Sequence, residues 1–234
     1  MGFNKLTNVS LTDLFVQQIE NMILSGELEV GEQLPSAREL SIRMGVSRPV
    51  ISAGLIELEK LGFVEIIPRQ GTFVCDYRRK GSLETLVAIM RYNGGAMRIH
   101  EVTSLLQVRE SLESLCVKLI IENCSNEDLK SMVPYLEAIH SASLADDVSS
   151  AIFAFHHELA VLSGNMLLPL LYHSFQTESL YLWTISIKKE GKDALFATKQ
   201  KLLQALFERD LAKAMAITSQ SIENASSKLS AYIS

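Results

Sequence analysis

The chain has 234 residues, a formal net charge of −5 and 47% hydrophobic residues, which excludes a mainly disordered protein. The 12 glycines and 5 prolines are too few for a fibrous or low-complexity protein. Three cysteines without CxxC spacing argue against a disulfide scaffold or a thiolate zinc site and favour a reducing, cytoplasmic compartment. The start of the chain has no apolar core behind a basic end, which argues against a signal peptide.

Three helical patterns precede residue 62. A serine and an acidic residue three positions later form a cap at 10–13 and a capping box at 36–39. The third helix starts at Ser47 and has Pro49 in its first turn, where the missing N–H costs nothing. The pattern then changes to a strand over 63–67, a turn, and a second strand ending at Cys75.

The rest of the chain is helical in pattern, with a polar, basic linker predicted at 77–82. The pairs Gly94-Gly95 and Gly164-Asn165 mark turns. Residues 159–177 carry no formal charge, but their polar groups and Pro169 predict a buried helix pair and no membrane span. The predicted helices cover 83–93, 98–124, 126–142, 146–163, 166–175, 176–189, 192–208 and 210–233.

Two short helices joined by a tight turn and followed by a hairpin are typical of a winged helix-turn-helix. On the third helix Ser47, Arg48 and Ser52 face one way, and an apolar stripe faces the other. An arginine guanidinium there can bind guanine O6 and N7, and the hairpin tip 69–71 fits a narrow minor groove. The predicted fold is mainly α, with this winged helix over 1–76 and an all-α helical bundle over 83–234.

Residues 34–74 resemble the DNA-binding domain of GntR-family bacterial transcription regulators, through LPSAREL, GVSRPV and LEKLGFVEIIPRQGTFV. The family commonly has Arg-Glu-Ala-Leu where this chain has Ser52-Ala53-Gly54-Leu55, so altered operator specificity and fewer phosphate contacts are expected. The resemblance implies that the second and third helices contact the major groove and the hairpin tip the minor groove. The candidate DNA contacts are Arg38, Ser47, Arg48, Pro49, Val50, Ser52, Arg69, Gln70 and Gly71.

Residues 83–230 are similar to the FCD type of helical ligand-binding domain in the FadR-like branch of that family. The similarity lies in VRESLE at 108–113, FHHEL at 155–159, the following Gly164-Asn165, and Arg209-Asp210. It implies a domain that binds a small-molecule effector and forms a homodimer. Many such domains bind small carboxylates through a bound metal, and we expect no metal in this chain for the reasons given in the next paragraph. The effector is therefore expected to be a more hydrophobic ligand, or an organic acid held by Arg109 and His156.

Many FCD domains hold a divalent metal with one Asp and three His. Here His156 matches the first histidine, but Ile152 stands at the Asp position, and the other two histidine positions fall near Lys199 and Ser221. Since one ligand in four does not hold Zn²⁺ or Ni²⁺ tightly, we expect no metal and no other cofactor. The alternative roles are an ion pair of Arg109 with Glu113, four residues on, and a hydrogen-bonded core histidine for His156.

The predicted function is a ligand-responsive regulator, a repressor more than an activator, that binds a pseudo-palindromic double-stranded DNA operator as a homodimer. The alternative is a helical interaction module whose winged helix docks a protein. An enzyme is not expected and no catalytic residue is proposed. The run from His157 begins like HExxH but has Val161 where the second ligand must stand.

Overall fold

The computed structural model describes residues 10–91 and 99–232. The chain divides into two compact units, an N-terminal unit of residues 1–94 and a C-terminal unit of residues 95–234. Each unit has its own apolar core. The predicted fold class is confirmed, because helices and one two-stranded hairpin form the first unit and helices form the described part of the second.

The N-terminal unit begins with three helices, as the capping patterns predict. The serine side chains at 10 and 36 accept from the backbone N–H three residues on, and both acidic partners return the bond. The first helix ends at Gly26, which is left-handed at φ 83°. The elements are α1 (Leu11–Ser25), α2 (Ala37–Met44), α3 (Arg48–Lys60), β1 (Val64–Ile67), β2 (Gly71–Val74), α4 (Tyr77–Lys80) and α5 (Leu83–Arg91).

Helices α1 and α3 approach each other closely because Gly54 has no side chain. A Cβ atom at this position would lie 2.2 Å from Cδ1 of Phe15, which is fully buried in the same core. The departure from the family's usual Ala at residue 54 therefore has a structural consequence, since it makes room for the phenyl ring. The cost of glycine inside a helix is offset by this packing.

The hairpin is antiparallel, with Val64 opposite Val74 and Ile67 opposite Gly71. A segment ahead of α2 pairs with its second strand, because the Leu34 N–H donates to the Thr72 carbonyl at 2.8 Å. The sequence did not predict this pairing. It attaches the hairpin to the helices of the unit.

The residues predicted as a linker, 77–82, include the helix α4. The following helix α5 packs its Ala88 and Ile89 against the core of the N-terminal unit, which is why that unit continues to residue 94. The turn that Gly94 and Gly95 predict lies outside the described residues. The domain limits from the sequence stay a prediction.

The C-terminal unit is built around the 25-residue helix α6, which packs along α13, while α9 packs against α8, α10 and α11. A capping box formed by Ser125 and Asp128 starts α7. The helix is interrupted between α9 and α10. In the turn between them, Asn165 Oδ1 accepts a hydrogen bond from the Leu167 N–H at 2.9 Å. The elements are α6 (Ile99–Asn123), α7 (Asn126–Leu129), a 3₁₀ turn (Lys130–Met132), α8 (Val133–Ser141), α9 (Ala145–Leu162), α10 (Leu168–Ser174), α11 (Gln176–Glu190), α12 (Asp193–Phe207) and α13 (Leu211–Tyr232).

Within the described ranges, the helices are all too short or too polar to span a bilayer. The uncharged stretch 159–177 is divided among α9, α10 and α11, with Leu159, Leu168 and Tyr172 buried in the protein.

Candidate DNA-binding and effector sites

The first turn of α3 presents its polar side chains to solvent. Arg48 and Ser52 are exposed, whereas Ile51 and Leu58, on the opposite face, are fully buried. Ser47 occupies the N-cap position, but its side chain makes no capping hydrogen bond. The hydroxyl of Ser47 and the backbone N–H of Arg48 are therefore available to a phosphate, whereas Pro49 has no N–H and the Val50 N–H donates to the Ser47 carbonyl at 3.1 Å.

The hairpin tip is held in a defined turn. The Gln70 N–H donates to the Ile67 carbonyl at 3.0 Å, and Arg69 is left-handed at φ 66°. The Gln33 side chain donates from Nε2 to the Gln70 carbonyl at 2.7 Å. A Cβ atom on Gly71, whose φ is 135°, would lie 2.4 Å from that nitrogen, so glycine is required here. Sequence reasoning missed Gln33, because its partner is 37 residues away.

An open groove of about 730 Å³ lies between α2, α3 and the hairpin. Ser52 from α3 and Gln70 and Gly71 from the tip line this groove, so residues predicted from two separate elements share one face. Arg43 also lines it, although the sequence analysis did not select it. The remaining candidates lie on the same elements: Arg38, Arg48, Pro49 and Arg69 are exposed and Val50 is half-buried.

In the C-terminal unit, the two predicted effector residues are neighbours. The Arg109 guanidinium places Nη2 3.4 Å from Nε2 of His156, across 47 residues of sequence. Its Nε donates to Glu113 Oε1 at 2.5 Å, and its centre lies 4.4 Å from the ring centroid of Trp183. The ion pair with Glu113 considered from the sequence therefore forms, and it forms beside His156.

His156 is fully buried among aromatic rings. Its ring lies nearly parallel to those of Trp183 and Tyr172, with centroid distances of 5.4 and 6.3 Å. Burial, and then the positive charges of Lys199 and Arg109, hold the pKa of the imidazole well below 6.5, so the ring is neutral.

One nitrogen of the neutral imidazole is left without a hydrogen bond. When Nε2 accepts from Arg109, the proton is on Nδ1. Nδ1 is 3.2 Å from Glu113 Oε1, but the direction does not make a hydrogen bond, and Nδ1 is buried without another partner. It is therefore not the fully hydrogen-bonded core histidine of the alternative interpretation.

Lys199 of α12 completes the cluster. It is 1% exposed, and burial lowers the pKa of its amine to about 8 from the ordinary 10.5. The Glu113 carboxylate favours the protonated amine and the Arg109 guanidinium opposes it.

Helix α10 adds a phenol to the cluster. Burial, followed by the negative charge of Glu113, raises the pKa of Tyr172 well above 10, so its hydroxyl stays protonated. Sequence reasoning did not select Glu113 and Lys199 as parts of one site with Tyr172. These groups come from three helices that only the fold brings together.

The donors present do not fit a divalent metal. Ile152, at the position of the family's Asp, is fully buried in the apolar core. Lys199 places a cation beside the one available imidazole, and no group of three His, Cys, Asp or Glu able to hold a metal occurs among the described residues. Zn²⁺ and Ni²⁺ need three or four donors and are repelled by an ammonium.

Two small cavities adjoin Arg109. One, of about 90 Å³, is lined by Arg109, Trp183, Thr198 and Ser221 among others. The other, of about 10 Å³, is lined by Leu105, Leu112 and Tyr172 with Arg109. Phe153, Phe155 and Leu159 pack in the apolar core of this unit, and Tyr181 is partly exposed.

Comparison with known proteins matches both units. The family model "Bacterial regulatory proteins, gntR family" matches residues 12–74, and the FCD domain model matches residues 104–224, more than half of the chain. The regulator LutR of Bacillus subtilis is 28% identical over 219 residues, which cover 90% of this chain and 97% of that protein.

A second relative and a solved structure agree with this match. The regulator Mce2R of Mycobacterium tuberculosis is 35% identical over 109 residues, 47% of this chain and 45% of that protein, so the match spans less than half of this relative. The Listeria monocytogenes regulator Lar has a similar fold, with a TM-score of 0.61 at 15% identity over 95% of this chain and 97% of that one. The two sequence relatives are named as transcriptional regulators and not as enzymes.

Proposed function

The chain belongs to the gntR family of bacterial regulatory proteins and carries an FCD domain, and we propose that it is a ligand-responsive transcription regulator. The N-terminal unit binds a double-stranded DNA operator. The C-terminal unit binds a small organic effector that changes the affinity for this operator. The observation that carries the proposal is the single exposed face that Ser52 of α3 and the tip residues Gln70 and Gly71 share.

Some of the proposed contacts read the bases, and others fix the position of the protein on the DNA. Arg48, at the start of α3, reaches base edges in the major groove, where a bidentate bond to guanine is worth about 1–3 kcal/mol. The Ser47 hydroxyl and the Arg48 N–H hold a phosphate. Arg69 and Gln70 enter the minor groove from the hairpin tip. Arg38 approaches from α2, and Pro49 and Val50 shape the first turn.

The test begins by selecting the operator from random duplex DNA with the full chain. Arg48→Ala and Arg69→Ala are then compared with Lys60→Ala, which removes an exposed cation from the opposite end of α3. We expect each of the first two to weaken binding by a factor of about 5 to 100 and the control to leave it unchanged. If no sequence is enriched, or if all three variants bind alike, the proposal is wrong.

A protein-docking module is the alternative, and the same variants distinguish it. A protein contact on this face would survive the loss of both arginines better than an operator complex would, because phosphate and guanine recognition depend on cations.

The proposed regulator acts on DNA and is therefore placed in the cytoplasm. We propose repression as its mode, and a reporter gene behind the selected operator tests this by rising in expression when the regulator is deleted.

A homodimer fits a pseudo-palindromic operator, because two half-sites require two recognition helices related by a twofold axis. Exposed apolar side chains on the C-terminal unit support the dimer: Met166 is 82%, Leu167 57% and Leu170 64% exposed. Sedimentation equilibrium at micromolar concentration checks it. A monomer there would contradict the dimer.

A further inference from the structure

The groove between α2, α3 and the hairpin has a single positively charged side chain among the described residues that line it, that of Arg43 in the last turn of α2. Glu39, one turn earlier on the same helix face, is the single negatively charged one. The other lining residues are neutral, and they include Ser52 at a position where the family commonly has arginine. A surface that binds a polyanion needs a cation, and within this groove the cation lies on α2 and not on α3.

The carboxylate of Glu39 is engaged at the N-terminal end of α2, away from Arg43. Its Oε2 accepts hydrogen bonds from the Ser36 N–H at 2.9 Å and from the Ser36 hydroxyl at 2.7 Å. These bonds lower the pKa of Glu39 most, and the charge of Arg43 contributes least. The ion pair that oppositely charged residues four apart on a helix commonly form is therefore weak here, and the guanidinium is available to a ligand.

The exposed face of α3 is uncharged beyond its first residue. After Arg48, the exposed side chains as far as residue 56 are Pro49, Ser52, Ala53 and Ile56. Such a face reads bases through a hydroxyl and through apolar contacts, and it does not neutralise phosphates. A cation that meets a phosphate in this groove must therefore come from another element.

We propose that Arg43 contacts a phosphate of the operator and supplies the positive charge that residue 52 does not. This assignment rests on the proposed function and adds a positioning contact to it. In a helix-turn-helix the first of the two helices crosses the DNA backbone while the second reads bases. A cation on α2 therefore meets phosphate oxygens and not base edges, and it fixes how the protein lies on the duplex.

The experiment measures binding of the selected operator by the full chain at a series of salt concentrations. Arg43→Gln removes the charge and keeps a long side chain that favours a helix, whereas Arg43→Lys keeps the charge. Arg79→Gln is the matched control, because Arg79 is an exposed arginine of α4 that pairs with Asp76 at 3.3 Å and does not line the groove. Urea unfolding of each variant checks that the fold is unchanged, as expected for exposed positions.

Arg43→Gln should reduce the slope of log K against log salt by about 0.9 for each protomer bound, because one phosphate contact is lost. Between 1 M and 0.1 M salt, a slope of this size corresponds to binding that is about 8-fold weaker per protomer. The loss should be the same for operators that carry single base-pair changes, since a phosphate contact carries no sequence information. Arg43→Lys should retain the slope, and Arg79→Gln should change neither the slope nor the affinity.

A double variant returns the charge to α3. Adding Ser52→Arg to Arg43→Gln should restore the slope, because residue 52 lines the same groove. No recovery would refute the exchange of the charge between residues 43 and 52. An equal slope in wild type and Arg43→Gln would overturn the phosphate contact, and so would a loss of affinity confined to one base-pair position, because Arg43 would then read a base.

Operator selection by the wild type separates this assignment from the proposed function. An operator complex whose salt dependence does not involve Arg43 refutes the assignment alone. Absence of any operator complex refutes the proposed function itself.

Discussion

Replacing Lys199 by methionine should make the C-terminal unit more stable at neutral pH. The amine has a pKa of about 8 in the folded protein and 10.5 in its ordinary state. Each pH unit corresponds to about 1.4 kcal/mol, so burying the ammonium costs folding about 3 kcal/mol. Methionine fills a similar volume without a charge, and its introduction therefore removes this cost without leaving a large cavity.

The sign of the pH dependence follows from the lowered pKa. Between pH 8 and 10.5 the unfolded chain binds more protons at Lys199 than the folded protein does, so wild-type stability rises with pH in this range. Below pH 8 the cost is fully present. The stability advantage of Lys199→Met should therefore be about 3 kcal/mol at pH 7 and fall towards zero near pH 10.5.

The assay is urea unfolding from pH 7 to 10.5, monitored by the fluorescence of Trp183, the only tryptophan in the chain. It lies beside the cluster and so reports on the C-terminal unit. Taking the difference between variant and wild type cancels the other groups that titrate. These include Tyr172, whose pKa burial raises well above 10, and Cys116, whose pKa burial raises to about 12. Lys201→Met serves as the control and should show no such trend. A Lys199→Met protein that is less stable at pH 7 would refute the reasoning, because the lysine would then be held by a favourable ion pair.

Three predictions concern the N-terminal unit. Gly54→Ala should destabilise it by up to about 2 kcal/mol in urea unfolding, because overpacking against Phe15 outweighs about 1 kcal/mol of helix propensity; Phe15→Leu in the same chain should recover part of the loss. Ser52→Arg should steepen the slope of log K against log salt by about 0.9 if it adds a phosphate contact, and an unchanged slope would place residue 52 away from the backbone. Gly71→Ala should weaken operator binding in a mobility-shift assay, because its methyl group displaces Gln33 from the hairpin tip; unchanged affinity would show that the tip does not contact DNA.

Local signals in the sequence predicted most of the fold. The serine and acidic pairs at 10–13, 36–39 and 125–128 all form capping boxes, and most predicted helix ends agree with the structure to within a few residues. The single helix predicted over 126–142 is wrong, because the structure divides it into α7, a 3₁₀ turn and α8. These features depend on hydrogen bonds and apolar spacing within one or two turns, so a short window of sequence contains all the information they require. The change of period after Gly62 predicted the hairpin for the same reason.

The sequence also identified residues that the structure brings together. Arg109 and His156 were selected from motifs 47 residues apart, and they lie 3.4 Å from each other. Ser52 and Gln70 were selected from two elements and line one groove. In both cases the resemblance to known domains supplied the spatial relation that periodicity cannot.

Only the tertiary structure decided the electrostatic character of the effector site. From the sequence, Lys199 was a residue unsuited to a metal, and Glu113 was a partner for Arg109 within one helix. The packing of α6, α9 and α12 buries these groups with His156, and burial determines which of them keep their charge and which lose a partner. The pairing of Gln33 with the hairpin tip was hidden for a related reason, since it joins residues 37 apart. Local patterns determine where helices form, whereas the charge and hydration of a side chain depend on neighbours that are distant along the chain.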